Sequence, residues 1–263
     1  MTLIKVGFET HQGMKREENQ DYAAYRPLKN TPFSRNGILM VLADGMGGYA
    51  GGSIASKMAV NTLIAEFYPK RQSDIINTLK KSFLKANSLI LTHSRKDPNL
   101  KGMGTTLTTA VIQDGQLFFA HVGDSRGYIV SETEIVQLTE DHTYVADLLK
   151  QGLISPREAQ NHPYDHIITR AIGVSTNLIV DHSRTSYKIK SKQAVVLCSD
   201  GLYKCISDEE IYNIIQQYSD PSAACRKLVY RANQEGGPDN ITVMIALFGR
   251  VNAKPNWFFG LRQ

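Results

Sequence analysis

Apolar residues recur along the chain with two different periods, which predict strands and helices. Residues 4–8 alternate between apolar and polar side chains, which is typical of a half-buried strand. The apolar run over 37–43 predicts a fully buried strand that ends at Asp44. One helix is predicted to begin near Gly52. A second is predicted over 73–94, where apolar residues return every three or four positions.

The rest of the chain carries signals of antiparallel strands followed by helices. Asp114-Gly115 stands between apolar runs over 105–112 and 117–122, and this dipeptide predicts a tight hairpin. Ser155 and Glu158 fit a helix capping box. The other predicted elements are strands over 127–130, 135–138, 179–189, 194–198 and 241–248, and helices over 144–151, 208–218 and 221–234. Because strands and helices do not alternate regularly, we predict an α+β domain in which helices cover antiparallel sheets.

Composition narrows the class of protein. The chain has 263 residues, of which 42% are hydrophobic, and we predict one domain over 1–250 with a tail over 251–263. The net charge of +5 comes from scattered residues, which argues against nucleic-acid binding. We expect no membrane span, since no run of about 18 apolar residues occurs, and no secretory signal. Three cysteines are too few for a disulfide framework, so we expect a cytoplasmic protein.

Aspartates stand at the ends of predicted strands, where this residue is otherwise unfavourable. They are Asp21, Asp44, Asp124, Asp200 and Asp239. Turn chemistry alone explains any single one of them. As a set they indicate more, because carboxylates that meet at one end of a sheet repel one another unless a cation lies between them. Oxygen ligands favour Mg²⁺, Mn²⁺ or Ca²⁺ over zinc, and the glycine after Asp44 allows a backbone carbonyl to approach as a further ligand.

Six short motifs occur along the chain in a fixed order. They lie at 16–21, 41–48, 104–106, 122–126, 197–201 and 239–242. Together they resemble the motif series of the PPM (type 2C) metal-dependent serine/threonine protein phosphatases, most of all the bacterial branch. The resemblance spans nearly the whole chain. It implies a four-layer αββα sandwich, in which two antiparallel β-sheets are flanked by helices.

The resemblance also implies a metal site. Two Mn²⁺ or Mg²⁺ ions would bind at one end of the sandwich and activate a water for in-line attack on phosphorus. By similarity Asp44 bridges both ions, the Gly45 carbonyl binds the first, and Asp200 and Asp239 bind the second. Asp21 would act through a bound water.

Two further roles follow from the resemblance, each with a structural alternative. Arg16 would bind the substrate phosphate, since a guanidinium can hold two phosphate oxygens; the alternative is a surface ion pair with Glu17 or Glu18. Asp124 would help to hold a third, weaker ion; the alternative is that it only shapes its turn and pairs with Arg126.

The chain departs from some members of the family at three positions. Gln20 replaces a glutamate, and Met46 stands where some eukaryotic relatives have a histidine that is proposed as general acid, so Met46 cannot donate a proton. Lys204 stands where some relatives have an acidic residue near the metals, which argues against a third ion. His121 and His142 lie near motif residues but receive no catalytic role.

These implications predict a phosphatase that acts on phosphoserine and phosphothreonine in proteins. The segment over 141–170 corresponds to the flap beside the family's active site, where protein substrates would bind. We expect a monomer whose partners are phosphorylated proteins and a cognate Ser/Thr kinase. Two alternatives remain open: a non-catalytic member that only binds phosphoproteins, and a phosphatase of small phosphorylated metabolites.

Overall fold

Two antiparallel sheets form the centre of the computed structural model. The model describes residues 4–26, 38–47, 51–67, 74–160 and 162–249. Gly48, the predicted domain boundary at 250 and the tail over 251–263 lie outside these residues. Across the described ranges, no helix is both long and apolar enough to cross a membrane.

The described strands and helices are numbered in chain order. The strands are β1 (Ile4–His11), β2 (Asp21–Arg26), β3 (Ile38–Met46), β4 (Gly104–Thr105), β5 (Leu107–Gln113), β6 (Gln116–Val122), β7 (Arg126–Val130), β8 (Ile135–Gln137), β9 (Asp181–His182), β10 (Tyr187–Lys188), β11 (Ala194–Cys198) and β12 (Ile241–Phe248). The helices are α1 (Gly51–Phe67), α2 (Ile75–Lys96), α3 (Tyr144–Lys150), α4 (Pro156–Ala159), α5 (Asp200–Tyr203), α6 (Asp208–Gln217) and α7 (Pro221–Gln234), with a 3-10 turn at Pro98–Leu100.

The strands divide between two sheets. One sheet has the order β1-β12-β11-β7-β8, and the other has the order β10-β6-β5-β3-β2, with β4 on β3 and β9 on β6. All the pairings within them are antiparallel. The absence of parallel pairs in the described strands agrees with the irregular order of elements in the sequence.

Apolar packing on both faces of β3 shows how the layers are arranged. Met40 and Leu42 face the other sheet and pack with Leu197 and Met244. Leu39 and its alternating neighbours pack on the opposite side, beneath α1 and α2. On the far side of the molecule, α5, α6 and α7 cover the outer face of β11 and β12. The predicted four-layer αββα sandwich is therefore confirmed, and burial of both faces explains why β3 is continuously apolar.

Most predicted elements are confirmed, and one is wrong. The Asp114-Gly115 turn has positive φ at both residues, 51° and 74°, as a tight hairpin turn requires. The strand predicted over 179–189 is instead two short strands, β9 and β10. From His182 to Tyr187 the chain advances five residues while its partner advances three, from Ala120 to Leu117. The extra residues break the pairing. Helix α5 was not predicted, because a single turn carries no periodic signal.

Candidate metal centre

The aspartates that the sequence singles out lie together at one end of the sandwich. Asp44, Asp124, Asp200 and Asp239 line an open cleft of about 780 Å³. Asp21 lies directly opposite Asp44 in the pairing of β2 with β3. The fold therefore brings together carboxylates from five separate segments, as the sequence predicted.

Asp44 is fixed through its own backbone. Its N–H donates to Thr106 Oγ1 at 2.9 Å, and its carbonyl accepts from the Thr106 N–H and from Thr105 Oγ1, both at 2.8 Å. Burial, followed by the negative charges of Asp21 and Asp200, raises the pKa of Asp44 well above its usual value. The threonines of the 104–106 motif thus hold a carboxylate in a position where it is costly to ionise without a cation.

Two glycines allow the chain segments of the cleft to approach one another closely. A Cβ atom on Gly45 would lie 2.2 Å from the carbonyl oxygen of Gly52. A Cβ atom on Gly201 would lie 2.1 Å from the carbonyl oxygen of Asn240. Any larger residue would push these segments apart. Gly201 therefore keeps the residue before it, Asp200, next to the loop that carries Asp239.

Asp21 is buried beneath the cleft. Ser199 Oγ donates to Asp21 Oδ2 at 2.7 Å and accepts from the Thr242 N–H at 2.9 Å. Asp21 Oδ1 is buried without a hydrogen-bond partner. Burial raises the pKa of Asp21 to about 7. Sequence reasoning gave no role to Ser199, although it stands in the 197–201 motif.

Asp200 and Asp124 lie on either side of the Lys204 ammonium. Lys204 Nζ is 2.6 Å from Asp200 Oδ2 and 4.0 Å from Asp124 Oδ2. Burial raises the pKa of Asp124 to about 7. Burial alone would lower the pKa of Lys204, but the charges of Asp200 and Asp124 outweigh it and raise that pKa above its usual value. Lys204 is therefore a permanent cation inside the cleft.

Arg16 binds Asp239 at the mouth of the cleft. The Nη2–Oδ2 distance is 2.8 Å, and this hydrogen bond is the main reason that the pKa of Arg16 is raised. Among the ion pairs described, the partner of Arg16 is thus Asp239 rather than Glu17 or Glu18. The geometry places the predicted phosphate-binding arginine beside a predicted metal ligand.

Asn240 connects the loop before β12 to the loop between β1 and β2 at the cleft entrance. Sequence reasoning missed this role. Its side-chain amide donates to the carbonyls of Gln12 and Glu18, both at 2.9 Å. Its Oδ1 accepts from the Gln20 N–H at 2.8 Å. The signal was present in the sequence, since Asn240 follows Asp239 within a motif. The motif alone did not show which loop the amide would hold.

His121 and His142 hold the residue before Asp124. The Gly123 N–H donates to His142 Nδ1 at 3.0 Å, and the Gly123 carbonyl lies 3.0 Å from His121 Nε2. His142 must therefore carry its proton on Nε2, which lies 3.1 Å from Asp181 Oδ2. Burial lowers the pKa of His121 to about 3. The pair is neutral and structural, and it positions Asp124.

The partner expected for Arg126 is different in the structure. Arg126 Nη2 lies 2.7 Å from Asp141 Oδ2, so it fixes the start of the 141–170 segment and is not paired with Asp124. The far end of that segment returns to the cleft, where His166 and Ile168 are lining residues. The predicted flap therefore lies beside the cleft.

The donor atoms of the cleft fit hard divalent cations. Three buried carboxylate oxygens have no partner: Asp21 Oδ1, Asp124 Oδ1 and Asp200 Oδ1. Over the described part of the chain, no three acidic, histidine or cysteine side chains form a group that could hold an ion by themselves. The three unpartnered carboxylate oxygens are of the ligand type that hard cations such as Mg²⁺ prefer. Asp200 and Asp239 meanwhile bind Lys204 and Arg16.

Comparisons with known proteins give the family. A family model described as protein phosphatase 2C matches residues 11–236. The chain is 35% identical to a serine/threonine phosphatase (stp) of Listeria welshimeri over 243 residues, which cover 90% of this chain and 93% of that protein. The serine/threonine phosphatase structure from S. agalactiae matches with a TM-score of 0.86 and 33% identity over 93% of this chain and 99% of that chain. The catalytic domain of the phosphatase PstP in complex with two manganese ions matches with a TM-score of 0.81 and 31% identity over 95% of this chain and 100% of that chain.

Proposed function

The chain belongs to the protein phosphatase 2C family as a member of its bacterial type, and we propose that it is a metal-dependent phosphatase of phosphoserine and phosphothreonine in proteins. One observation carries the proposal: Asp44, Asp124, Asp200 and Asp239 line the same open cleft as Arg16. Because these core carboxylates are all retained, catalysis is favoured over a role in binding alone.

We assign two Mn²⁺ or Mg²⁺ ions to the oxygen donors of the cleft. Asp44 would hold both ions, the Gly45 carbonyl would hold the first, and Asp200 and Asp239 would hold the second. Asp21 would act through a water from beneath the cleft. The unpartnered oxygens of Asp21 and Asp200 support this assignment. When bound, such ions supply a water whose pKa is lowered to about 7 as the nucleophile for in-line attack.

Arg16 orients the substrate. Its guanidinium presents several N–H donors in one plane, which matches two oxygens of a phosphate. An arriving phosphate competes with Asp239 for the guanidinium. Because the Arg16 side chain is 57% exposed, it can exchange partners without moving a buried charge.

Asp124 is the candidate ligand of a third, weaker ion. Its unpartnered, buried Oδ1 favours such an ion. Lys204, on the other side of the same carboxylate, opposes it.

The flap over 141–170 is the proposed contact surface for protein substrates. Tyr144, Tyr164 and Ile167 expose apolar surface there, beside the cleft that His166 lines. The substrates are phosphorylated proteins, and the opposing enzyme is a Ser/Thr kinase. We propose a monomer that acts in the cytoplasm, in keeping with the three free thiols of Cys198, Cys205 and Cys225.

Release of inorganic phosphate tests the proposal. The purified chain is given a phosphothreonine peptide with Mn²⁺, then with excess EDTA, and then with Mn²⁺ restored. We expect turnover in the first and third conditions and none in the second. A small phosphorylated sugar serves as the comparison substrate and should be hydrolysed more slowly. Turnover that survives thorough chelation would refute the metal-dependent function.

A further inference from the structure

Lys204 places a cation between two buried carboxylates of the cleft. Its Nζ is 2.6 Å from Asp200 Oδ2 and 4.0 Å from Asp124 Oδ2. The backbone holds this arrangement, because the Lys204 N–H donates to the Asp200 carbonyl at 3.0 Å at the end of α5. The Lys204 side chain is 33% exposed. It can therefore swing out of the cleft without unfolding the chain.

The two oxygens of each carboxylate, Asp124 and Asp200, have different surroundings. Lys204 approaches one oxygen of each, Oδ2, whereas the other oxygen, Oδ1, is buried without a partner. A buried carboxylate oxygen without a partner is costly, so each Oδ1 is a free donor for a cation. Asp200 can thus give Oδ1 to an ion of the proposed pair while Oδ2 keeps the lysine.

A divalent ion and an ammonium cannot share the space between Asp124 and Asp200. Like charges a few ångströms apart repel each other, and both would use the same two carboxylates. An ion that enters this space must displace the Lys204 side chain.

We propose that Lys204 is a built-in cation that occupies the place of a third divalent ion between Asp124 and Asp200, so that the protein binds two ions tightly and a third only by displacing the lysine. The inference rests on the proposed two-ion function. It makes Lys204 a positioning residue that sets the number of bound ions, and it explains why the third site is weak.

Equilibrium dialysis of the full chain against a series of Mn²⁺ concentrations, with manganese measured per chain, tests this proposal. The test variant is Lys204→Gln, which removes the charge, and Lys204→Arg keeps it. Lys192→Gln is the matched control, since Lys192 pairs with Glu132 at 2.7 Å on an exposed surface. At Mn²⁺ concentrations where Lys204→Gln binds three ions, we expect the wild type to bind two. Lys204→Arg and Lys192→Gln should also bind two. Loss of the charged competitor should tighten the third site roughly tenfold or more.

The double variant Lys204→Gln/Asp124→Asn locates the extra ion, and it should return to two ions per chain. Lys204→Met is the second test variant if the glutamine variant shows an altered circular dichroism spectrum. Equal stoichiometry and affinity in the wild type and both neutral variants would overturn the proposal and leave the two-ion function standing. Absence of any Mn²⁺ binding in the wild type would overturn both. A third ion that persists without Asp124 would overturn the placement between the two carboxylates.

Discussion

Two cation–carboxylate pairs share the cleft, but they differ in exposure. In the outer pair the side chains of Arg16 and Asp239 are 57% and 32% exposed, whereas in the inner pair those of Lys204 and Asp200 are 33% and 12% exposed. Charge pairs in contact with water contribute little to stability and exchange partners readily. Charges that are removed from water interact more strongly. The outer pair is therefore suited to separate when a substrate phosphate binds. The inner pair is suited to control how many metal ions bind in the cleft.

The largest effect is expected from the inner pair. Asp200→Asn removes a proposed metal ligand, and turnover with Mn²⁺ should fall by more than about a hundredfold. A residue that only hydrogen-bonds to a metal ligand typically costs about 10- to 100-fold when it is lost. Phosphate release from a phosphothreonine peptide measures it. Asp97→Asn is the control, because Asp97 only caps the 3-10 turn through Asn99 N–H at 2.9 Å and Asn caps equally well.

Circular dichroism and Mn²⁺ binding accompany the kinetics. The spectrum of Asp200→Asn should match that of the wild type, while its affinity for manganese falls. Turnover near the wild-type rate would show that Asp200 is not a ligand and would remove the distinction between the two pairs.

A smaller effect is expected from the outer pair. Arg16→Ala should raise KM and lower kcat/KM by roughly 10- to 100-fold, the worth of one or two hydrogen bonds to a charged group. Arg16→Lys should recover only part of the loss, since an ammonium cannot bind two phosphate oxygens in one plane. Steady-state kinetics measures both variants. Unchanged KM and kcat in Arg16→Ala would contradict the assignment of phosphate binding to the outer pair.

The smallest effect is a pH dependence of stability in EDTA. Folding raises the pKa values of Asp21 and Asp124 from 3.8 to about 7. Between about pH 4 and pH 7 the folded chain then holds more protons on these carboxyls than the unfolded chain does, so their contribution destabilises the fold as the pH rises. Thermal melting in EDTA should show a Tm that falls as the pH rises through this range. Mn²⁺ should raise the Tm more at pH 8 than at pH 5, because it binds ionised carboxylates.

A variant tests whether Asp124 contributes to this pH dependence of Tm. Asp124→Asn removes an inner carboxyl with a raised pKa and should flatten the fall of Tm with pH. A slope in Asp124→Asn equal to that of the wild type would contradict the assignment of the dependence to this carboxyl.

Sequence patterns predicted the elements whose signal is local. Helix α7 and strand β12 have the predicted bounds because a capping residue or a loop stands next to a clear apolar period. The motif order also identified the five aspartates. Four of them lie where a strand begins or ends, and Asp44 lies two residues before the end of β3. Residues 179–189 were predicted wrongly, because the apolar side chains there suggest a strand while the bulge depends on the register with β6.

The partners of the charged residues could not be predicted in the same way. Arg16 meets Asp239 across 223 residues of sequence. Lys204 approaches Asp124 across 80 residues, the difference between their two positions. The sequence offered nearer partners for Arg16, namely Glu17 and Glu18. Which carboxylate a long side chain reaches depends on how β11, β12 and the 11–20 loop meet, and no local pattern records that.

A crystal structure of the full chain grown with Mn²⁺, with the anomalous signal of manganese recorded, tests the central claim most directly. We expect two manganese peaks in the cleft, with Asp44 in contact with both and with Asp200 and Asp239 in contact with one. Side chains of these three residues that point away from one another, with no manganese between them, would contradict it.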